Sequence, residues 1–182
     1  LFSGEVVESQ GKPYLLSVIA DMTDRKRAER ELALQAKMQE MLMHTAKRYI
    51  NMSLEEMEYN VEDSLGEISR FVGAHRAYVF DYHWDRRICS NTYEWCDTGI
   101  EPQKEFLREV PLEGVPWWEE THRRGEALYI PDVSALPEDD KVRNILEPQG
   151  VQSLMTVPMM HAGECVGFVG FDSVLHRHIY SK

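Results

Sequence analysis

A chain of 182 residues, with 31 acidic and 20 basic side chains and a formal net charge of −11, can hold one full domain plus an appendage. The excess of carboxylates disfavours contact with phosphate groups, so we expect no nucleic-acid partner. The sequence has neither an apolar run of about 18 residues nor a positively charged leader, so we expect no membrane contact. Because the chain begins at Leu1 rather than at Met, we interpret it as part of a longer protein.

An apolar run passes directly into a charged run near the N-terminus. Residues 12–20 follow a Gly-Lys-Pro turn and predict a strand, with residues 5–9 as its hairpin partner. Two strands alone are marginally stable, so we expect them to belong to a larger sheet. Residues 24–50 are dominated by good helix formers, which predicts a long helix.

Apolar residues on this long helix repeat at spacings that suit packing against a partner helix. Leu34, Met38 and Met41 are separated by four and then three positions. We therefore predict a homodimer formed through this helix.

A second helix is predicted from a capping signal and from helical spacing of apolar residues. Ser53 is followed three residues later by Glu56, the pattern of a capping box. Apolar positions then continue from Leu54 to Val72, and Gly73 ends the helix.

The pattern then changes to the period-two alternation of strands. Residues 76–82 predict a strand, residues 84–87 a turn, and residues 88–95 the returning strand of a hairpin. On the first strand, one face carries the aromatic side chains Tyr78, Phe80 and Tyr82.

The next segment, residues 97–147, is an irregular excursion punctuated by prolines. It predicts short helical pieces at residues 104–109 and 117–124, a short strand at 127–130, and a helix at 138–146.

A last hairpin is predicted from residues 151–159 and 165–172, joined by a turn. Both strands carry apolar residues on both faces, so the sheet should be covered on both sides. The order of elements predicts an α+β fold: a central antiparallel sheet of about six strands, with N-terminal helices on one face and the excursion over the other.

Several separate stretches are similar in sequence to GAF domains. They are Val72 to Phe80, Ser90 to Cys96 with Gly99-Ile100 after it, Pro116-Trp117-Trp118, Gln149 to Leu154, and Gly167 to Asp172. The resemblance covers roughly residues 44–175. It is greatest to the GAF domains of bacterial sensor histidine kinases and diguanylate cyclases, and it implies a PAS-related fold with a sensory role.

The opening junction resembles the end of a PAS domain and its exit signature. The similar residues are Gly11 to Asp21 and the following Met-Thr-Asp-Arg-Lys-Arg run. The resemblance implies four segments: the end of a PAS domain at 1–22, a helical signalling linker at 23–50, a GAF domain at 51–175, and a C-terminal tail at 176–182. The candidate signalling residues of the linker are Asp21, Thr23, Arg25, Leu34, Met38 and Met41. Asp21 and Thr23 can accept hydrogen bonds from free N–H groups at the helix start.

A ligand cavity could lie between the sheet and the excursion, since aromatic walls with a few polar groups are typical of small-molecule pockets. Our candidate residues are Tyr78, Phe80, Asn91, Tyr93, Glu94, Trp95, Trp117 and Trp118. The alternative interpretation is that the tryptophans are core residues that hold the excursion on the sheet. Asp172 is expected to cap a turn or helix rather than to act as a catalytic acid.

The ligand, if any, is unknown, and no motif requires a cofactor. The Asn-Lys-Phe-Asp element of cyclic-nucleotide-binding GAF domains and the phytochrome-like motif around a bilin-bearing cysteine are both absent. His176 and His178 near the C-terminus have no evident third ligand, so we favour a frayed tail over a metal site.

The three cysteines, Cys89, Cys96 and Cys165, fit no zinc or thioredoxin-like spacing and favour a reduced, cytoplasmic protein. A rarer GAF family reduces free methionine sulfoxide with paired cysteines. In a regular strand, Cys89 and Cys96 would lie on opposite faces, which disfavours that chemistry unless the strand breaks, so we favour buried, inert thiols.

Three functional hypotheses follow. The first is a non-catalytic sensory and relay domain that controls a downstream histidine kinase or diguanylate cyclase. The second is a ligand-free dimerisation and spacer module, and the third is the sulfoxide reductase. The sequence does not decide between a kinase and a cyclase as the output domain.

Overall fold

A computed structural model describes residues 2–9, 11–19, 21–50, 53 and 56–178. Parts of the predicted strand and helix at Ala20 and Leu54, and the tail at 179–182, lie outside the described residues. The chain divides into two compact units, Leu1–Asn51 and Met52–Lys182. Within the described part of the chain, no helix is both long and apolar enough to cross a membrane.

The first unit consists of a hairpin and one long helix. Strands β1 (Phe2–Ser9) and β2 (Lys12–Ile19) pair antiparallel, and helix α1 spans Thr23–Ile50. None of the described side chains of α1 is buried. The predicted hairpin and linker helix are therefore present as secondary structure.

Asp21 caps the start of α1. Its Oδ1 accepts a hydrogen bond from the Thr23 N–H at 2.9 Å and another from the Thr23 hydroxyl at 2.6 Å. These bonds hold the pKa of the Asp21 carboxyl below its ordinary value, the hydroxyl contributing most. Thr23 thus donates to Asp21, where the sequence suggested that it would accept. Arg25 pairs with Glu29 at 2.7 Å on the exposed surface of the helix.

The second unit is built on a six-stranded antiparallel sheet with the strand order β5-β4-β3-β8-β7-β6. Its strands are β3 (Arg76–His83), β4 (Ile88–Cys96), β5 (Val110–Pro111), β6 (Leu128–Ile130), β7 (Ser153–His161) and β8 (Glu164–Ser173). The helices are α2 (Met57–Val72), α3 (Pro116–Arg123) and α4 (Lys141–Leu146), with 3₁₀ turns at Val133–Ala135 and Glu147–Gln149. This architecture confirms the predicted α+β fold and its six strands.

The two faces of the sheet carry separate apolar clusters. Helix α2 packs on one face, where Leu65, Ala77 and Phe171 belong to a single buried cluster. The excursion covers the other face, where Tyr78 and Phe80 belong to the larger cluster. The alternation read from the sequence of β3 therefore assigned these side chains to the correct faces.

Two glycines allow aromatic rings to lie close to the backbone. A Cβ atom on Gly66 of α2 would lie 2.6 Å from Nε1 of Trp95, and one on Gly170 of β8 would overlap the Tyr78 ring. Gly66 is thus a close contact between helix and sheet, and Gly170 makes room for the ring of its partner on the neighbouring strand.

Three local predictions differ from the structure. Helix α2 starts at Met57, and only half of the capping box forms. The Glu56 carboxylate accepts a hydrogen bond from the Ser53 N–H at 3.2 Å, as in a capping box. The Ser53 hydroxyl, however, donates to the same Glu56 carboxylate. Helix α4 starts at Lys141 rather than at residue 138, because Asp140 caps it by accepting from the Val142 N–H at 2.7 Å.

The third difference concerns residues 104–109, which form turns instead of a helix. The Glu94 carboxylate on β4 accepts hydrogen bonds from the backbone N–H groups of Gln103 and Lys104 at 2.8 and 2.9 Å. These bonds fix the start of the excursion to the sheet and favour a turn there.

Candidate functional site

An apolar cavity of about 70 Å³ lies between the sheet and the excursion. The sheet contributes Tyr78, Phe80, Cys89, Phe168 and Asp172. The excursion and the turn after it contribute Leu107, Val110, Pro111, Leu112, Val115, Trp118, Val142, Ile145, Leu146 and Gln149. The cavity is therefore walled by hydrocarbon and aromatic rings, with Gln149 and Asp172 as its main polar side chains.

Three of the eight candidate residues line this cavity: Tyr78, Phe80 and Trp118. Trp117 does not line it and packs edge-on against Trp118, with the ring centroids 6.0 Å apart. The Pro-Trp-Trp stretch therefore supplies one wall residue and one supporting residue.

Tyr93 and Trp95 lie on the opposite face of the sheet. They pair with Val79 and Ala77 and pack in the cluster beneath α2, where the Arg70 guanidinium lies 5.1 Å from the centroid of a Trp95 ring. Their proposed place in the cavity is wrong, because paired residues of an antiparallel sheet share a face and these partners point toward α2.

Asn91 and Glu94 lie on the excursion face but outside the lining. Glu94 binds the excursion backbone as described above, and Asn91 donates its backbone N–H to the Leu107 carbonyl at 2.9 Å. The Asn91 side chain donates to Glu94 at 3.3 Å, and its buried amide oxygen has no partner within the described residues. Both residues fasten the excursion rather than form the cavity wall.

A buried ion pair stands at the polar end of the cavity. Arg76 donates to one carboxylate oxygen of Asp172 from Nε at 3.1 Å and from Nη2 at 2.7 Å, and both side chains are 1% exposed. Tyr78 donates to the other oxygen at 2.8 Å, and Gln149 accepts from Arg76 at 3.0 Å. Burial raises the pKa of the Asp172 carboxyl, and Arg76 opposes that rise.

The expectation that Asp172 caps a turn or helix is wrong, because it lies within β8 opposite Arg76 of β3. The two residues are 96 positions apart in the sequence. The only local signal was a charged residue at the end of an apolar strand, which does not identify its partner.

A second buried polar chain joins α3 to the sheet. Trp118 donates its indole N–H to the Tyr82 hydroxyl at 3.2 Å, and that hydroxyl lies 2.6 Å from Nδ1 of His122. On the other side of the ring, Nε2 of His122 lies 2.8 Å from the Thr156 hydroxyl. In the tautomer with its proton on Nε2, His122 accepts from the Tyr82 hydroxyl at Nδ1 and donates to the Thr156 hydroxyl from Nε2. Burial lowers the pKa of His122 to about 4, so its ring is neutral at pH 7.

The cysteines are poor nucleophiles in this environment. Burial raises the pKa of Cys89 and of Cys96 to about 12, and it also raises the pKa of Cys165. A thiol with such a pKa holds almost no thiolate at neutral pH.

The prediction that Cys89 and Cys96 lie on opposite faces is wrong. A register shift between Val79 and Phe80 inserts an extra residue in β4, so Cys89 pairs with Tyr82 and Cys96 pairs with Arg76 on the same face. Those two partners are six positions apart on β3, which places the thiols about 20 Å apart along the strand. They cannot form a disulfide in this fold.

The chain is similar to one part of a regulatory histidine kinase. The chain is 28% identical over 178 residues to the methanogenesis regulatory histidine kinase FilI of Methanothrix harundinacea, covering 92% of this chain. It spans about a fifth (19%) of the length of that relative.

Solved structures share the fold. The chromophore-binding domain of Stigmatella aurantiaca phytochrome P1 matches 98% of this chain and 63% of its own, with a TM-score of 0.61 and 16% identity. The phycocyanobilin-bound GAF domain of a cyanobacterial phytochrome matches 78% of this chain and 82% of its own, with a TM-score of 0.64 and 18% identity.

The blue-light-absorbing form of the PixJ GAF domain from Thermosynechococcus elongatus matches 72% of this chain and 79% of its own, with a TM-score of 0.58 and 16% identity. The family model for the GAF domain matches residues 61–180, which include the whole six-stranded sheet. The chain therefore belongs to the GAF domain family.

Proposed function

We propose that this chain is a non-catalytic sensory and relay module of a larger signal-transduction protein. A small molecule in the cavity is the input, and α1 passes the resulting change between neighbouring domains. In this proposal residues 1–22 end a PAS domain, residues 23–50 are the signalling linker, residues 51–175 are the sensory domain, and a histidine kinase or diguanylate cyclase follows. The kinase relative supports the kinase as output.

The cavity is the observation that carries this proposal. Its walls come from two layers, the sheet and the excursion, so an occupant contacts both. A ligand shifts a conformational equilibrium only by its difference in affinity between the two states. Contact with two separately built walls provides such a difference, because one wall can move relative to the other.

The occupant must be small. Pockets for drug-sized ligands measure about 300–1,000 Å³, several times the 70 Å³ found here. A chromophore such as the phycocyanobilin of the structural relative is too large for this cavity. The buried, high-pKa thiol of Cys89 in its wall is also poorly suited to forming a covalent bond.

The relay role is supported by the surface of α1. Leu34 and Met38 are 57% and 43% exposed, on a helix without a buried side chain among its described residues. Apolar side chains at spacings of three and four residues favour pairing with a second copy. The same observation supports a second candidate function, a ligand-free dimerisation and spacer module.

The reductase hypothesis receives no support from the cysteines. Their thiols are protonated at neutral pH, and Cys89 and Cys96 are held about 20 Å apart along the sheet. We therefore do not propose a catalytic function.

Native mass spectrometry of the 182-residue chain tests the sensory proposal. We expect a non-covalent mass excess over the denatured mass. Val115→Phe adds volume to the cavity wall and should abolish the excess. Val166→Phe makes the same change at a 41% exposed site outside the cavity and should retain it. A chain at its bare polypeptide mass would instead favour the spacer function.

Charged substitutions on α1 test the predicted dimer. Met38→Glu combined with Met41→Glu should convert dimers into monomers, because two carboxylates on each helix would be buried in the interface. The control is Gln35→Glu combined with Gln39→Glu, which adds the same charge to the same helix at positions outside the apolar set Leu34, Met38 and Met41. Dimers that persist in the methionine variant would exclude this surface of α1 as the interface.

A further inference from the structure

The segment that follows the last strand is held against one end of the sheet. We call Val174–His178 the exit segment. At its start, Val174 donates its N–H to Nδ1 of His75 at 3.1 Å, and the Val174 carbonyl accepts from the Gln152 side chain at 2.9 Å. At its other end His178 donates its N–H to the Ser153 hydroxyl at 3.0 Å, and that hydroxyl donates back to the His178 carbonyl at 3.1 Å. The frayed tail expected from the sequence is therefore wrong for these residues.

Three histidines meet at this contact. The rings of His75 and His176 are edge to face, with centroids 4.8 Å apart. The His178 ring lies over Gly73, where a Cβ atom would come within 3.2 Å of it. Among the described residues, no group of histidine, cysteine or carboxylate side chains is arranged to hold a metal ion. The cluster therefore requires another explanation.

The charges around His75 favour its neutral form. His75 is 7% exposed, and burial lowers its pKa, with His176 and His178 of the exit segment lowering it further. Asp97, after the end of β4, opposes them. On β8, the Asp172 carboxylate is engaged by Arg76, and its backbone carbonyl accepts from the His75 N–H at 2.8 Å.

We propose that His75, His176 and His178 form a proton-sensitive latch that holds the exit segment on the sheet at neutral pH and releases it in mild acid. A neutral His75 ring can accept the Val174 N–H at Nδ1, whereas a protonated ring has donors on both nitrogens and cannot. Protonation of His75 therefore removes this hydrogen bond between the sheet and the exit segment.

The direction of the pH dependence follows from linkage. The pKa of His75 is lowered in the latched state and returns toward the ordinary histidine value of about 6.5 on release. The released state therefore binds more protons in mild acid. Latching is complete above about pH 6.5 and is lost as the pH falls through the lowered pKa of the latched state.

Residue-resolved amide hydrogen exchange on the 182-residue chain, corrected for intrinsic rates, tests the latch between pH 7.5 and 5. Protection of the Val174 and His178 amides should fall with decreasing pH, by about tenfold per pH unit for each proton taken up. Amides in the centre of β8, such as that of Phe168, should remain protected over the range in which the exit segment opens.

Two variants separate the latch from general destabilisation. His75→Asn keeps a hydrogen-bond acceptor without a titrating ring, so protection of Val174 should become independent of pH. His161→Gln removes a histidine from the last position of β7, beside the turn to β8, and should behave as wild type. The proposal is overturned if Val174 and His178 stay protected at pH 5, if they open only together with Phe168, or if His75→Asn retains the wild-type pH dependence.

Discussion

The buried histidine of α3 gives a quantitative prediction for the stability of the GAF domain. His122 is fully buried between the Tyr82 and Thr156 hydroxyls, and burial lowers its pKa to about 4. In the unfolded chain its pKa returns to about 6.5. Between these two values the unfolded chain binds the additional proton, so the free energy of unfolding falls as the pH falls.

The size of this effect follows from the two pKa values. A difference of one pKa unit between the folded and unfolded states corresponds to about 1.4 kcal/mol. The full difference for His122 therefore lowers the free energy of unfolding by about 3 kcal/mol when the pH falls from 7 to below 4. His122→Gln retains hydrogen-bonding groups but cannot titrate. The variant is expected to be less stable than wild type at pH 7, because the glutamine fits the aromatic site less well.

The measurement is urea unfolding at a series of pH values, followed by tryptophan fluorescence. All four tryptophans lie in the second unit, so the signal does not report on the hairpin or α1. The stability difference between wild type and His122→Gln should shrink by about 3 kcal/mol between pH 7 and pH 4. Parallel stability curves over this range would refute the assignment of a buried, neutral His122.

Three other changes test the packing described above. Asp172→Asn should lower the free energy of unfolding in urea by about 3–5 kcal/mol, because it leaves Arg76 buried without a counter-charge. A decrease below about 1 kcal/mol would contradict the ion pair. Gly66→Ala should destabilise by about 1–2 kcal/mol despite the higher helix propensity of alanine, and Trp95→Leu should remove that penalty in the double variant. Cys89 should react with iodoacetamide at pH 8 about a thousandfold more slowly in the folded than in the unfolded chain, and rapid alkylation of folded protein would show that its pKa is not raised.

Elements with a strong local pattern were predictable from the sequence. The period-two alternation of β3 assigned Tyr78 and Phe80 to one face, and the helical spacing before Gly73 located α2. In both segments the burial of apolar side chains and the intrinsic preference of the backbone favour the same structure. The fold could therefore be inferred before any contact was known.

The cavity was only partly predictable, because its composition depends on register and on distant pairs. The extra residue in β4 opposite Val79 and Phe80 changes which side chains face the excursion, and no local pattern marks it. Without the extra residue, a regular alternation from Asn91 would place Tyr93 and Trp95 on the excursion face, whereas they lie beneath α2. Asp172 was misjudged for a different reason, since its role depends on Arg76, which lies almost the length of the domain away in sequence.

The proposed input and the proposed latch meet at the end of β8. Asp172 lines the cavity, its carbonyl accepts the His75 N–H, and two residues later Val174 begins the exit segment. An occupant that shifts the Asp172 side chain therefore acts on the same few residues that hold the exit segment. If the proposed input and the proposed latch are coupled, these contiguous contacts at the end of β8 are the shortest route between them.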